Sequence, residues 1–187
     1  MRLVCALILR SMNWSVLNSF PSQLKKCVLV AAPHTSNWDF PMMLLYGFKL
    51  RLRYSWLGKH TLFNGITGFV LRKIGGIPVD RGKNNDFVRT LSSEFSKLEQ
   101  CILIIPPEGT RSRSEHWKSG FIHIARQANV PIIFGRLDYQ EKYLTFSPQI
   151  ESSLSDDEII GFAQMFYKDA TALHPSKFGP IRLKSKD

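Results

Sequence analysis

Two short runs constrain the fold more than any other part of the chain: Lys26–Ala32 (KCVLVAA), which stops at Pro33, and Cys101–Ile105 (CILII), which stops at Pro106-Pro107. Brief apolar, β-branched runs bounded by proline read as buried strands, and CILII is the most strongly apolar of them. Shorter strands are expected over residues 53–57, 77–79, 130–134 and 142–146. Helical spacing predicts helices over residues 39–48, 61–73, 85–100, 117–128 and 156–173. The first of these has Ser36 or Asn37 as its N-cap and tolerates Pro41 in its first turn, and the second is stopped by Gly75-Gly76. Strands alternating with helices predict an α/β fold, a single-domain α/β sandwich with a largely parallel central sheet flanked by helices. A chain of 187 residues fits one such domain and leaves no room for a second enzymatic module. The organisation read from the chain is an amphipathic helical segment over residues 1–25, the main domain over 26–173 and a basic tail over 174–187.

Charge narrows the partners. The formal net charge is +10, and it is concentrated. Residues 49–83 carry Lys49, Arg51, Arg53, Lys59, Arg72, Lys73, Arg81 and Lys83 against the single acid Asp80, whereas residues 138–160 are acidic. Such a patch suits a polyanion, either nucleic acid or an anionic lipid surface. The interleaved apolar groups, from Leu50 and Trp56 to Phe63, Ile66 and Phe69, are aliphatic as often as aromatic, which favours lipid over nucleic acid. No run reaches the roughly 20 apolar residues of a membrane span. The stretch 3–20 reads either as a helix lying in a membrane interface or as one packed on the core. Three cysteines without a C-x-x-C pattern indicate neither a disulfide framework nor zinc, and point to a reducing compartment. No metal-ligating constellation, P-loop or G-x-S-x-G is present.

Three polar clusters stand at the ends of expected strands, where α/β folds place their ligands. In Pro33-His34-Thr35-Ser36-Asn37-Trp38-Asp39, His34 and Asp39 are five residues apart. On one continuous helix they would point about 140° apart. If His34 ends the strand and Asp39 opens the helix, the turn between them lets the carboxylate reach the ring. A carboxylate so placed fixes the tautomer and raises the basicity of the imidazole. The second cluster, Gly75-Gly76-Ile77-Pro78-Val79-Asp80-Arg81, brings a guanidinium suited to phosphate to a strand end. The third, Pro106-Pro107-Glu108-Gly109-Thr110-Arg111-Ser112, gathers an acid, a glycine, two hydroxyls and an arginine just beyond CILII.

Taken in order, HTSNWD, GGIPVDR and PEGTRS resemble the motifs of the glycerolipid acyltransferase superfamily, the lysophosphatidic acid acyltransferases. The likeness runs from about Cys27 to Gly135. Val130-Pro131-Ile132-Ile133-Phe134 resembles a fourth motif, with Phe134 where a second proline is usual. The resemblance implies transfer of a fatty acyl group from a thioester, acyl-CoA or acyl-ACP, to a hydroxyl of a lysophospholipid or glycerol-phosphate-like acceptor. It implies His34 as general base, oriented by Asp39, and an imidazole's ordinary pKa of about 6.5 suits that task. Arg81, Glu108, Gly109, Thr110 and Arg111 are implied as substrate contacts for phosphate, with Lys118 as a further one. No metal and no cofactor beyond the thioester co-substrate are expected. The expected place of work is the cytoplasm, peripheral on the inner face of the cell membrane, with an anionic membrane surface as partner and no nucleic acid. The alternatives are a catalytically silent lipid-binding relative and a basic nucleic-acid-binding protein.

Overall fold

A computed structural model describes residues 1–79, 91–93 and 95–184. At its centre is a seven-stranded sheet in the order β1-β7-β6-β2-β5-β3-β4. The strands are β1 (Ser15–Val16), β2 (Lys26–Ala32), β3 (Tyr54–Lys59), β4 (Gly76–Val79), β5 (Cys101–Ile105), β6 (Ile132–Asp138) and β7 (Tyr143–Phe146). All pairings are parallel except β6 with β7, which form an antiparallel hairpin. The two apolar runs are neighbours at the middle, in register from Lys26 opposite Cys101 to Val30 opposite Ile105.

Side chains alternate across a strand, so each central strand feeds two cores. Val28, Val30 and Ala32 of β2, Leu103 of β5 and Phe134 of β6 face one layer. That layer is closed by helices α4 (Gly120–Gln127) and α5 (Asp156–Tyr167), together with Leu91 and Phe95 from the helical residues 91–93 and 95–97. Cys27 and Leu29 of β2, Ile102 and Ile104 of β5 and Ile133 of β6 face the other. Helices α1 (Arg2–Ser11), α2 (Asp39–Leu50) and α3 (Gly65–Lys73) cover this second face. Burial on both faces is what runs without polar alternation require, and each fully buried Val, Leu or Ile contributes about 1.5–3 kcal/mol.

Several elements depart from their expected bounds. Helix α2 is capped by Trp38, not by Ser36 or Asn37, because the Ser36 hydroxyl accepts the Trp38 N–H and the Ser36 N–H goes to Asp39. The expected helix 61–73 splits into a 3₁₀ turn (His60–Leu62) and α3. Helix α4 begins at Gly120, not at 117, since Trp117 pairs with Leu183 of the C-terminal segment. Strand β6 starts later than expected and runs on to Asp138, because pairing with β7 carries it past its apolar part. Helix α5 stops at Tyr167. Most of the expected helix 85–100 lies outside the described residues.

The described residues near both ends make packing contacts with the rest of the fold. Leu9 and Cys5 of α1 and the following Trp14 and Phe20 are buried, while Leu3, Val4 and Leu7 face outward, so the segment 3–20 has one stripe on the core and one facing solvent. The described part of the basic segment after His174, residues 175–184, is a strap. The Trp117 N–H donates to the Arg182 carbonyl (2.7 Å) and the Arg113 guanidinium to the Phe178 carbonyl (3.0 Å). Gly179 crosses Ser114 so closely that a Cβ would lie 1.9 Å from the Ser114 carbonyl oxygen, which leaves room only for glycine.

Candidate active site

The carboxyl ends of the central parallel strands converge on His34. Pro33 ends β2, and the turn to α2 folds the chain back so that His34 Nδ1 lies 3.0 Å from Asp39 Oδ2. A carboxylate only accepts, so Nδ1 carries the proton and Nε2 keeps its lone pair. Asp39 is buried and fully engaged. Its Oδ2 also accepts the N–H groups of Thr35 (3.1 Å) and Ser36 (3.0 Å), and its Oδ1 accepts the Tyr139 hydroxyl (2.6 Å). The expected pairing is therefore present, held by two backbone donors and one phenol.

Glu108 supports the histidine from behind. It is only 5% exposed, and both its oxygens accept the His34 backbone N–H, at 3.0 and 3.2 Å. It is not among the residues lining the cavity described below, and its carboxyl is directed to the His34 backbone. Burial pushes its pKa up to about 7, opposed by the His34 N–H and reinforced by the nearby Asp39.

His34 stands at the rim of a cavity of about 750 Å³ between α2 and the sheet. That volume falls within the roughly 300–1,000 Å³ of small-molecule pockets. Its walls are apolar: Phe40, Met43 and Tyr46 from α2, Leu29 and Ile104 from the sheet, Trp56 from β3. Its mouth is polar, with Asn37, Lys59, Thr110, Arg111 and Ser112 beside His34. Gly109 also lines it in a left-handed conformation (φ +67°), and a side chain there would run into the Lys118 stem 2.9 Å away. Lys118 is exposed on the outer side of that loop, tied by its N–H to the Pro107 carbonyl (2.8 Å), and is not part of the cavity wall. Arg81 lies outside the described residues. Phe134 faces the opposite core and leaves the cavity untouched.

Two groups at the site were not singled out from sequence. Lys59, read only as one of many bases, ends β3 at the cavity mouth; its position at a strand end was the available signal. Tyr139 stands 100 residues from Asp39, and nothing local in the sequence marks it. Cys101 and Cys27 are buried in the strands and their thiols are pushed up, Cys27 to about 12, so neither is a nucleophile. Among the described residues no group of His, Cys, Asp and Glu is arranged to hold a metal ion.

Comparison with known proteins bears on this geometry. A family model described as Acyltransferase matches residues 14–133. A 1-acyl-sn-glycerol-3-phosphate acyltransferase of Streptococcus pneumoniae (strain ATCC BAA-255 / R6) is 31% identical over 117 residues, which cover 62% of this chain and 43% of that protein. The match thus spans less than half the length of this relative. The crystal structure of the 1-acyl-sn-glycerophosphate (LPA) acyltransferase PlsC from Thermotoga maritima superposes with a TM-score of 0.63 at 16% identity, over 88% of this chain and 73% of that one. At that identity the likeness is one of fold.

Proposed function

The chain belongs to the Acyltransferase family, and from that premise we propose that it moves a fatty acyl group from a thioester to the free hydroxyl of a lysophospholipid or glycerol-phosphate-like acceptor. The observation that carries the reading is the His34–Asp39 pair at 3.0 Å, set on the rim of a deep apolar cavity with a basic mouth. The cavity suits the acyl chain. The mouth suits a phosphate, with Arg111 offering a planar fork and Lys59 a point charge.

In the proposed step, Nε2 of His34 takes the proton of the acceptor hydroxyl as its oxygen attacks the thioester carbonyl. A C–O bond forms, the C–S bond breaks, and the departing thiolate takes the proton from the imidazolium. Asp39 steadies the cation while it exists. The transfer is direct, and neither buried strand cysteine, Cys27 nor Cys101, carries the acyl group. Acyl-CoA and acyl-ACP both supply such a thioester.

The acceptor and its product are lipids, and the outer surface supports work at a bilayer. Leu3 and Leu7 of α1 and Ile66, Phe69 and Val70 of α3 are exposed, Ile66 at 85%. Both helices lie on the α2 side of the sheet, and Leu62, which lines the cavity, is itself half exposed beside α3. The chain has no Asp or Glu between Phe40 and Val79, which suits an anionic leaflet. Trp56 and Phe63, aromatic members of the basic stretch, are buried and so are not available to enter a bilayer. Among the described residues no helix is long and apolar enough to cross a membrane. On this reading the protein works peripherally on the inner face of the cell membrane.

The test is an acyl-transfer assay with a long-chain thioester and lysophosphatidic acid, run on the wild-type protein and on His34→Ala. Loss of a general base costs about 10²–10⁴-fold in rate. A folded His34→Ala protein that turns over like wild type would defeat the mechanism, and no acylated product from wild type with any phosphate-bearing acceptor would defeat the function.

A further inference from the structure

We propose that Tyr139 is a positioning residue of the reaction, holding Asp39, and through it the His34 ring, in the orientation that presents Nε2 to the acceptor hydroxyl. This rests on the general-base reading of His34. Asp39 Oδ2 is already occupied by three donors, two of them backbone N–H groups of the same turn. A carboxylate fixed by one oxygen can still rotate about its own axis. The second oxygen decides that rotation, and among the described residues Tyr139 is its hydrogen-bond donor. At 2.6 Å the contact has the length of a charge-assisted O–H···O⁻ bond.

The fold holds the phenol from several sides. Tyr139 sits in the turn between β6 and β7. The neighbouring Asp138, 2% exposed, accepts the N–H groups of Gln140 (3.1 Å) and Glu141 (3.0 Å) on one oxygen and that of Thr171 (3.1 Å) on the other. The Tyr139 N–H donates to the Thr171 carbonyl (2.9 Å), which ties the same turn to the segment after α5. Its ring meets Trp14 edge to face, with centroids 5.1 Å apart. Burial and the bond to Asp39 both keep the phenol protonated, so it remains a donor across the working pH range. A purely structural tyrosine could satisfy the same buried oxygen, and the two roles separate on kinetic readouts.

Removing the hydroxyl leaves Asp39 Oδ1 without its donor. The carboxylate charge is then less dispersed and attracts an imidazolium more strongly, so the His34–Asp39 pair takes up its proton at higher pH. The other ionisable groups around the pair are unchanged by the substitution: Glu108 behind His34, Tyr46 from α2, and Lys59 and Arg111 at the mouth.

The experiment compares wild type and Tyr139→Phe in two ways. Steady-state kinetics should give a kcat lower by about ten- to a hundredfold, the worth of one hydrogen bond to a charged group, with acceptor KM nearly unchanged and the acid limb of the kcat profile moved to higher pH. The ring signal of His34, followed by NMR without substrate and identified by its absence in His34→Ala, should titrate at higher pH as well. That second readout holds whether or not the acyl-transfer reading does. A fluorotyrosine at position 139, which keeps the contact and strengthens the donor, should move both midpoints the opposite way and serves if Tyr139→Phe does not fold. Midpoints that stay put in the folded protein, or a lost kcat accompanied by a raised KM and no shift, would overturn the proposal.

Discussion

His34 is held by two carboxyl groups that behave differently. Asp39 meets the ring and is satisfied by several donors, whereas Glu108 is buried and, among the described residues, accepts the His34 backbone N–H. Its pKa of about 7 lies above the usual carboxylate value, so the folded state holds a proton that the unfolded chain has lost between roughly pH 4.5 and 7. Stability from this group must therefore fall as pH rises through that window, the reverse of a salt-bridged carboxylate. Glu108→Gln keeps an acceptor for the His34 N–H and removes the titration. Denaturant melts from pH 4.5 to 8 should show a flatter stability profile in the variant, and an identical slope would refute the assignment. The sequence made His34 and Asp39 legible because both belong to one turn between a strand and a helix. It did not reveal that Glu108 turns inward, because an acid beside Gly109 and Arg111 reads as surface, and the His34 N–H that draws it inward comes from another strand end 74 residues away.

At the scale of elements, the site depends on how β2 is lined on its two sides. Leu29 and Ala31 face the cavity while Val28 and Val30 fill the opposite core. Leu29 lies four residues before Pro33, roughly 13 Å down the strand at about 3.3 Å per residue, and so belongs to the deep part of the cavity. Leu29→Trp should shorten the chain the cavity accepts at an overpacking cost of about 1–3 kcal/mol. Competition between long-chain and medium-chain thioesters would show preference moving to the shorter donor, while an unchanged preference would place the acyl chain elsewhere. The strands were readable because β2 and β5 carry no polar break. The cavity was not, since it forms where the α2 side chains Phe40, Met43 and Tyr46 stand off from Leu29 and Ile104, and a linear pattern marks all of these simply as core. The polar residues Arg136 and Asp138 hid the far half of β6, whose strand geometry comes from pairing with β7.

At the scale of the whole molecule, the described residues of α1 and α3 expose apolar groups within a strongly basic chain. Co-sedimentation should show binding to anionic vesicles, weak binding to neutral ones and release as salt rises, with each base contributing about 1 kcal/mol near the surface. Leu3→Ser with Leu7→Ser, and separately Ile66→Ser with Phe69→Ser, should each reduce the binding without abolishing it. Equal partitioning onto neutral and anionic vesicles, or none onto either, would remove the membrane from the account. The sequence left open whether residues 3–20 pack or insert because a helix with apolar groups on most of its circumference satisfies both patterns. The described fold uses Cys5 and Leu9 for packing and leaves Leu3, Val4 and Leu7 outside. The long reach of the bonds at His34 has a consequence for synthesis. As the chain leaves the ribosome, His34 and Asp39 emerge together but lack Glu108 for a further 74 residues, and Asp39 lacks Tyr139 for 100. A nascent chain stalled before residue 139 can pair its β2 and β5 segments and still hold an unfinished relay. Competence then arrives late, when the turn between β6 and β7 brings Tyr139 to Asp39.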